Sequence, residues 1–276
     1  MDDILATLAR RSAALAVPEE GDFMRDGLLH CGKCGKPKQC RVPLRGDTQE
    51  PEVVGCCCDC TNEAYLRGKE EREREEKRLR IEAMRTDCIR DRGLSACRFD
   101  SAEMTDGILK CKRYAEHWKE MQEQNSGLLL WGNTGTGKTY AAACIANYLI
   151  DCGTPAMVTS FPRILNAGWD KQEIIDQMHY YPLVVIDDLD VERSTEYAME
   201  TVYVVIDERY KAKKPLIVTT NLTLEELCKP KSMDYQRIYD RILELCIPVA
   251  FKGESIRRKT ANEKMRRMKE ILDGGV

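Results

Sequence analysis

No apolar run in the 276-residue chain approaches 18 residues, so no helix long enough to cross a bilayer is expected. Nor is there an excess of positive charge. Forty-three Lys and Arg stand against 46 Asp and Glu, a formal charge of −3 with a pI near 5.8, which excludes a uniformly basic nucleic-acid binder while leaving room for local basic surfaces. The N-terminal stretch opens on Asp2 and Asp3 and lacks the basic-then-apolar layout of a secretory signal. No internal repeat is visible. These absences predict a cytoplasmic protein that does not engage a membrane. Cysteine, by contrast, is abundant: 14 residues, read as thiols in a reducing compartment because the chain is long and carries no export signal. The length accommodates one sizeable domain plus something smaller.

Residues 132–139 read Gly-Asn-Thr-Gly-Thr-Gly-Lys-Thr, the pattern G-x-x-x-x-G-K-[ST] of a phosphate-binding loop. The pattern has meaning only between a strand and a helix. Leu128 to Trp131 is the short apolar run of a buried parallel strand, and Thr139 to Ile150 is alanine-rich and helix-compatible, with Gly153 placed to end it. Gly132, Gly135 and Gly137 let the backbone curl so that the N–H groups of the loop, Asn133, Thr134 and Thr136 among them, surround phosphate oxygens. The helix beginning near Lys138 adds its positive end. Lys138 then reaches the β- and γ-phosphates, and the Thr139 hydroxyl sits on Mg²⁺.

A second apolar run, Leu183 to Ile186, ends in Asp187, Asp188 and Asp190. Its carboxyl end belongs where open α/β sheets bind ligands. Asp187 is the expected Mg²⁺ partner, through water, because Mg²⁺ keeps most of its hydration shell. Asp188 is placed to orient or deprotonate an attacking water. ATP and Mg²⁺ are therefore the expected nucleotide ligands.

Half of the cysteines fall between residues 31 and 60. Cys31 and Cys34 form a C-x-x-C followed by glycine; Cys40 comes next, then Cys56, Cys57, Cys58 and Cys60. Two thiolates from each end of this segment make the closed tetrahedral site of structural Zn²⁺. Spacing favours Cys57 with Cys60, whereas an extended chain puts Cys56, Cys58 and Cys60 on one face. A short polar segment of this kind depends on a metal to fold. After it, residues 61–90 are almost all charged, with acid-before-base spacing at Glu70–Arg74, Glu73–Lys77 and Glu76–Arg80. They read as a solvated helix of up to ~40 Å, not a core element.

Downstream, strands alternate with helices. Strands are expected at Pro155–Ser160, Pro215–Asn221 and Ile247–Phe251. Helices are expected at Lys171–Tyr180, at Thr195–Lys211, after a capping box at Thr223–Glu226, and from Glu254 to the basic C-terminal segment. Alternation of this kind means an α/β fold, a parallel sheet with helices on both faces. The segment Arg257–Lys269 holds seven basic residues, with Ile256, Met265, Met268 and Leu272 at roughly helical spacing, so it reads as a solvated amphipathic helix with one face able to pack.

The loop at 132–139, the strand ending in Asp187-Asp188, Val218-Thr-Thr-Asn221, Tyr239-Asp-Arg241 and Lys252-Gly-Glu-Ser-Ile-Arg257 occur in the order seen in AAA+ ATPases. Over residues 95–272 the chain resembles the DnaC/DnaI helicase loaders and the related IstB transposition ATPases, especially loader-like proteins of phages and Gram-positive bacteria. The resemblance implies an AAA+ P-loop domain at 93–276, a charged helical linker at 61–92, and a partner-binding region at 1–60 whose zinc site lies within 31–60. It implies Asn221 as the sensor that positions the lytic water. It implies Arg241 as an arginine finger acting on a neighbouring subunit's nucleotide, and Arg257 as a second sensor in cis; Arg237 and Arg258 stand close to these two. In the cysteine cluster it implies Cys58 as the fourth ligand beside Cys31, Cys34 and Cys60, with Cys56 or Cys57 as the substitutes. The function implied is a slow, partner-regulated ATPase that loads a replicative DNA helicase. It would bind single-stranded DNA, self-associate or act on a ring-shaped partner, and work in the bacterial host's cytoplasm if phage-encoded. The alternative is an IstB-type ATPase regulating transposition. One departure stands out: many AAA+ enzymes carry Glu where this chain has Asp188.

Overall fold

The computed structural model describes residues 17–42, 51–189, 196–230 and 233–273, so the expectations that fall on residues 1–16, Asp190 and Thr195 lie outside the described residues. The chain divides into two compact units, Met1–Leu79 and Arg80–Val276.

The first unit is built from two small antiparallel pairs. β1 (Phe23–Arg25) and β2 (Leu28–His30) are joined by Asp26 and Gly27, whose φ values of 53° and 74° are those a tight two-residue hairpin turn requires. β3 (Gln39–Val42) pairs with β4 (Glu52–Gly55). The helix α1 (Asp59–Cys88) then begins, and the unit boundary falls inside it. Its exposed length carries the ion pairs Glu63–Arg67, Lys69–Glu73 and Glu75–Arg78, not the three that the acid-before-base spacing suggested. Exposed charges exchange partners at little cost, so charge density keeps this helix solvated without fixing its pairing.

In the second unit, the expectation of a wholly solvated α1 fails at the last turns of the helix. Arg85 and Cys88 are buried there, and Ile81 and Met84 pack against an apolar cluster. Arg85 donates to Asn147 Oδ1 at 2.6 Å and to Asp151, partners 62 and 66 residues away that no local pattern announces.

Beyond α1, capping residues set where the next helices start: Asp91 caps a short turn at Arg92–Ser95, and the Thr105 hydroxyl accepts the Ile108 N–H to start α2 (Asp106–Glu116). The chain continues as β5 (Gly127–Gly132), α3 (Lys138–Asp151), β6 (Ala156–Ser160), α4 (Lys171–Met178), β7 (Leu183–Asp187), α5 (Glu196–Ala212), β8 (Leu216–Thr220), α6 (Leu224–Cys228), α7 (Met233–Leu245), β9 (Cys246–Phe251) and α8 (Ile256–Leu272). The five strands from β5 to β9 form one parallel sheet in the order β6-β7-β8-β5-β9. Gly153, with φ 86°, ends α3, and Thr223 with Glu226 forms the capping box of α6.

The apolar runs are continuous because both sheet faces are covered. Leu128, Leu130, Val185 and Ile217 enter one buried cluster with α2 and α3, while Leu129, Val184, Ile186, Leu216 and Val218 enter the other with α5 and α7. The most deeply buried charge among the described residues sits in this core. Arg209 on α5, 1% exposed, donates to the carbonyls of Met178, Tyr181, Pro182 and Pro215, tying the starts of β7 and β8 together. Burial pulls its pKa down to about 10. At the other extreme, α8 has no buried residue: Ile256 at its start is half-buried, while Met265, Met268 and Leu272 are exposed, which agrees with the reading of a solvated helix.

Candidate functional site

The glycine-rich loop lies between β5 and α3, as its pattern requires. Gly132, Gly135 and Gly137 have φ of 137°, 83° and 99°. Two of these positions admit no side chain: a Cβ on Gly132 would lie 2.2 Å from the Phe251 carbonyl oxygen, and one on Gly135 would lie 2.1 Å from Ser255 Oγ. The Ile256 N–H donates to the Gly135 carbonyl at 2.9 Å, which bolts the start of α8 onto the loop. Within the loop the Thr136 hydroxyl donates to the Asn133 carbonyl. Lys138 is 7% exposed, and its ammonium donates to the carbonyls of Gly132 and Asn133 and, at 2.9 Å, to Asn221 Oδ1. Burial lowers the Lys138 pKa, against the opposing pull of Asp187 and Asp188.

Asp187 ends β7 and Asn221 follows β8, so the sheet brings both beside the loop. Between them stands Thr219, whose one signal in the sequence was its place in Val218-Thr-Thr-Asn221, with no role attached to it. Thr219, 2% exposed, donates its hydroxyl to Asp187 Oδ1 at 2.6 Å and accepts the Asp188 N–H at 2.9 Å. Asp188 has φ 61°, a left-handed conformation uncommon outside glycine.

These residues open onto one cleft of about 790 Å³. Thr134, Gly135, Gly137, Lys138, Thr139, Asp187, Asp188 and Asn221 line it; Arg257, Thr260 and Lys264 enter from α8; Ala102, Ile108 and Tyr140 supply apolar surface. The lining suits an amphiphilic ligand with a polyanionic part, because it combines loop N–H groups, a helix N-terminus and cations with apolar side chains. Thr139 and Asp187 are the residues that fit an Mg²⁺ bound to such a polyanion. Tyr140 had no signal beyond helix propensity, and its hydroxyl donates to the Arg98 carbonyl at 2.9 Å.

Arg241 is elsewhere. On α7, its guanidinium makes a 2.7 Å ion pair with Asp207 of α5 and lies 4.7 Å from the Tyr203 ring centroid. It does not line the cleft of its own chain. Arg237, one turn earlier, is exposed.

In the first unit, the Sγ atoms of Cys31, Cys34, Cys58 and Cys60 all lie within 4.8 Å of one another. Four thiolates around one Zn²⁺ at about 2.3 Å stand roughly 3.8 Å apart, so the cluster fits a single ion. Cys58, not Cys57, closes the set: Cys57 is exposed, and the Cys56 thiol donates to the Pro37 carbonyl at 3.4 Å. The Cys34 thiol is drawn down to about 6, chiefly by the backbone N–H of Cys60 and then that of Lys36, while its hydrogen bond to Cys34 pushes Cys60 up to about 11. Behind this loop, Asp22 accepts the Gly32 N–H and pairs with the Lys38 ammonium at 2.7 Å.

The chain is similar to known proteins. The replicative helicase loader DnaI of Bacillus subtilis (strain 168) is 23% identical over 248 residues, 83% of this chain and 78% of that protein. The replicative helicase loader DnaC of Escherichia coli (strain K12) is 25% identical over 167 residues, 57% of this chain; the match spans 66% of the relative's length. The crystal structure of DnaI shares the AAA+ fold, with a TM-score of 0.52 at 22% identity over 59% of this chain and 94% of that one. The model of the IstB-like ATP binding protein family matches residues 66–264, a span that takes in the whole nucleotide cleft, and the chain belongs to that family.

Proposed function

We propose that this protein is an ATP-dependent replicative helicase loader. The observation that carries the reading is the reach of its likeness to DnaI: at 83% of the chain, it covers more than the Arg80–Val276 unit can supply and so takes in part of the thiol-bearing unit. A nucleotide switch joined to a metal-stabilised recognition unit suits a protein that grips a partner and releases it. Single-stranded DNA is the second ligand of this reading.

In the cleft, the N–H groups of residues 133–137 and the Lys138 ammonium bind the β- and γ-phosphates of ATP. Lys138 already faces Asn221, so exchanging that partner for phosphate moves an amide next to the γ-phosphate, where it orients the lytic water. Mg²⁺, when bound, neutralises charge developing on the transferred phosphoryl group; Thr139 and Asp187 hold it. Asp188 accepts the proton of the attacking water, and Arg257 supplies cationic charge in cis. Arg241 serves a neighbouring subunit's nucleotide, which requires self-association and opening of the Asp207 pair. Zn²⁺ in the four-thiolate cluster is structural, and residues 1–60 form the helicase-binding region, with 61–92 as linker and 93–276 as the ATPase domain. The protein acts in the cytoplasm.

The family's own name favours a second reading, an ATPase that regulates transposition. Pull-down of the cognate replicative helicase separates the two. A loader retains the helicase with ATP and loses it when residues 1–65 are removed. Failure of the full chain to retain any replicative helicase, with duplex DNA stimulating ATP turnover more than single strands, overturns the loader reading in favour of the second.

A further inference from the structure

The two strands beside the cleft part company at a definite point. The β7–β8 ladder runs Val184↔Leu216, Val185↔Ile217 and Ile186↔Val218 and then ends. One residue later the chain carries Asp187, and after it Asp188 turns left-handed. From here side chains and carbonyls of β8 replace the regular ladder. The Thr219 hydroxyl serves Asp187 and Asp188, the Thr219 carbonyl accepts the Leu189 N–H at 2.9 Å, and the Thr220 hydroxyl donates to the Leu189 carbonyl at 2.8 Å.

We propose that Thr219 is the positioning residue for metal binding in the cleft: its one buried hydroxyl fixes the Asp187 carboxylate and the Asp188 backbone together. This rests on the ATP reading of the site. A hydroxyl has one proton and can accept in return. Because the Asp188 N–H occupies its acceptor side, its proton is committed to Asp187 Oδ1. The other carboxylate oxygen takes no hydrogen bond among the described residues, which leaves it for a metal-bound water. The same hydroxyl satisfies the N–H of a residue in a costly left-handed conformation, so it also holds the second carboxylate's backbone in place. Valine has the shape of threonine but neither function; serine has both functions without the methyl group. A mere β-strand filler at this position predicts the opposite ranking, because Val packs a buried parallel strand better than Ser.

The test uses the full chain and its Thr219→Val, Thr219→Ser and Thr219→Cys variants. ATP affinity is measured twice, with EDTA and with Mg²⁺, beside thermal unfolding and phosphate release. Thr219→Val is expected to match the parent with EDTA within about twofold and to lose about 10- to 100-fold of the Mg²⁺-dependent gain, the usual cost of removing a group that orients a metal ligand. Thr219→Ser should restore most of that gain. Should Thr219→Val fail to fold, Thr219→Cys, similar in size and a weak donor, carries the test with an intermediate loss. An unchanged Mg²⁺-dependent gain in Thr219→Val or Thr219→Cys, or a Ser variant worse than Val, overturns the assignment. Absence of phosphate release from the parent chain would count against the ATPase reading instead, and the EDTA-to-Mg²⁺ ratio would still judge Thr219.

Discussion

Among the described residues of Met1–Leu79, the buried side chains are Leu29, Cys31, Lys38 and Cys58; two are thiols of the cysteine cluster and one is a charge. Arg80–Val276 buries two apolar clusters, one on each face of a five-stranded sheet. The contrast is one of what holds each unit folded. A sheet whose Leu129, Leu130, Val184 and Ile186 are sealed from water has a hydrophobic term large enough to offset chain entropy. The hairpins of the first unit have no such term, so with Zn²⁺ proposed for the thiolate cluster we expect their order to depend on the metal. On that proposal one unit is conditionally folded and the other is not.

Metal removal breaks the comparison most directly. The purified protein should carry about one Zn²⁺ per chain, and apparent binding energies of about 10–16 kcal/mol for such sites mean that stripping it unfolds the unit that holds it. Hydrogen exchange after chelation should show residues 23–42 and 51–60 exchanging freely while β5, β7 and β8 stay protected and ATP affinity is unchanged. Equal loss of protection in both units would show that the second also depends on the metal. Zinc-free protein with ordered hairpins would show that the metal is not what folds the first unit.

The second prediction attacks the sheet. Arg209→Met keeps the unbranched apolar stem but leaves the carbonyls of Met178, Tyr181, Pro182 and Pro215 without their donor in a buried place. The expected loss is about 2–4 kcal/mol of stability, read by urea unfolding, with zinc content unaltered. A neutral result would mean that water or backbone rearrangement satisfies those carbonyls.

Local patterns announced much of this molecule, and their limits are physical. The phosphate loop, the buried strands, the Gly153 stop and the Thr223–Glu226 box each depend on residues a few positions apart, so they can be read directly. Thr219 could not be read, because a threonine within an apolar strand looks like ordinary β-propensity until β7 is laid beside it. Arg85 looked like one more charge on a solvated helix, since its partners Asn147 and Asp151 arrive only with the fold. The choice among Cys56, Cys57 and Cys58 turned on how the chain enters α1, which spacing does not encode. Arg241 matched a motif, but its Asp207 partner lies on another helix.

The smallest expected effect sharpens the comparison within the conditional unit itself. Asp22 is hydrogen-bonded to the Lys38 ammonium and to the N–H groups of Glu19 and Gly32, and these hold its pKa near 2, below its ordinary 3.8. A depressed carboxylate contributes stability that is fully present above about pH 4 and is lost only as pH falls towards 2. The thiolates act earlier on acidification: all four must be deprotonated to hold metal, so proton-driven metal release comes first and unfolds the unit before Asp22 titrates. Acid unfolding of the first unit should therefore accompany metal release, with no separate step near pH 3. In Asp22→Asn the lost contribution is constant across the range where the thiolates titrate, so the acid midpoint should move to higher pH by a few tenths of a unit without a change in steepness. Metal release followed with a colorimetric chelator between pH 7 and 4 measures this. A midpoint that moves to lower pH, or a profile that flattens, would mean that Asp22 titrates together with the thiolates and is not a fixed charge behind them.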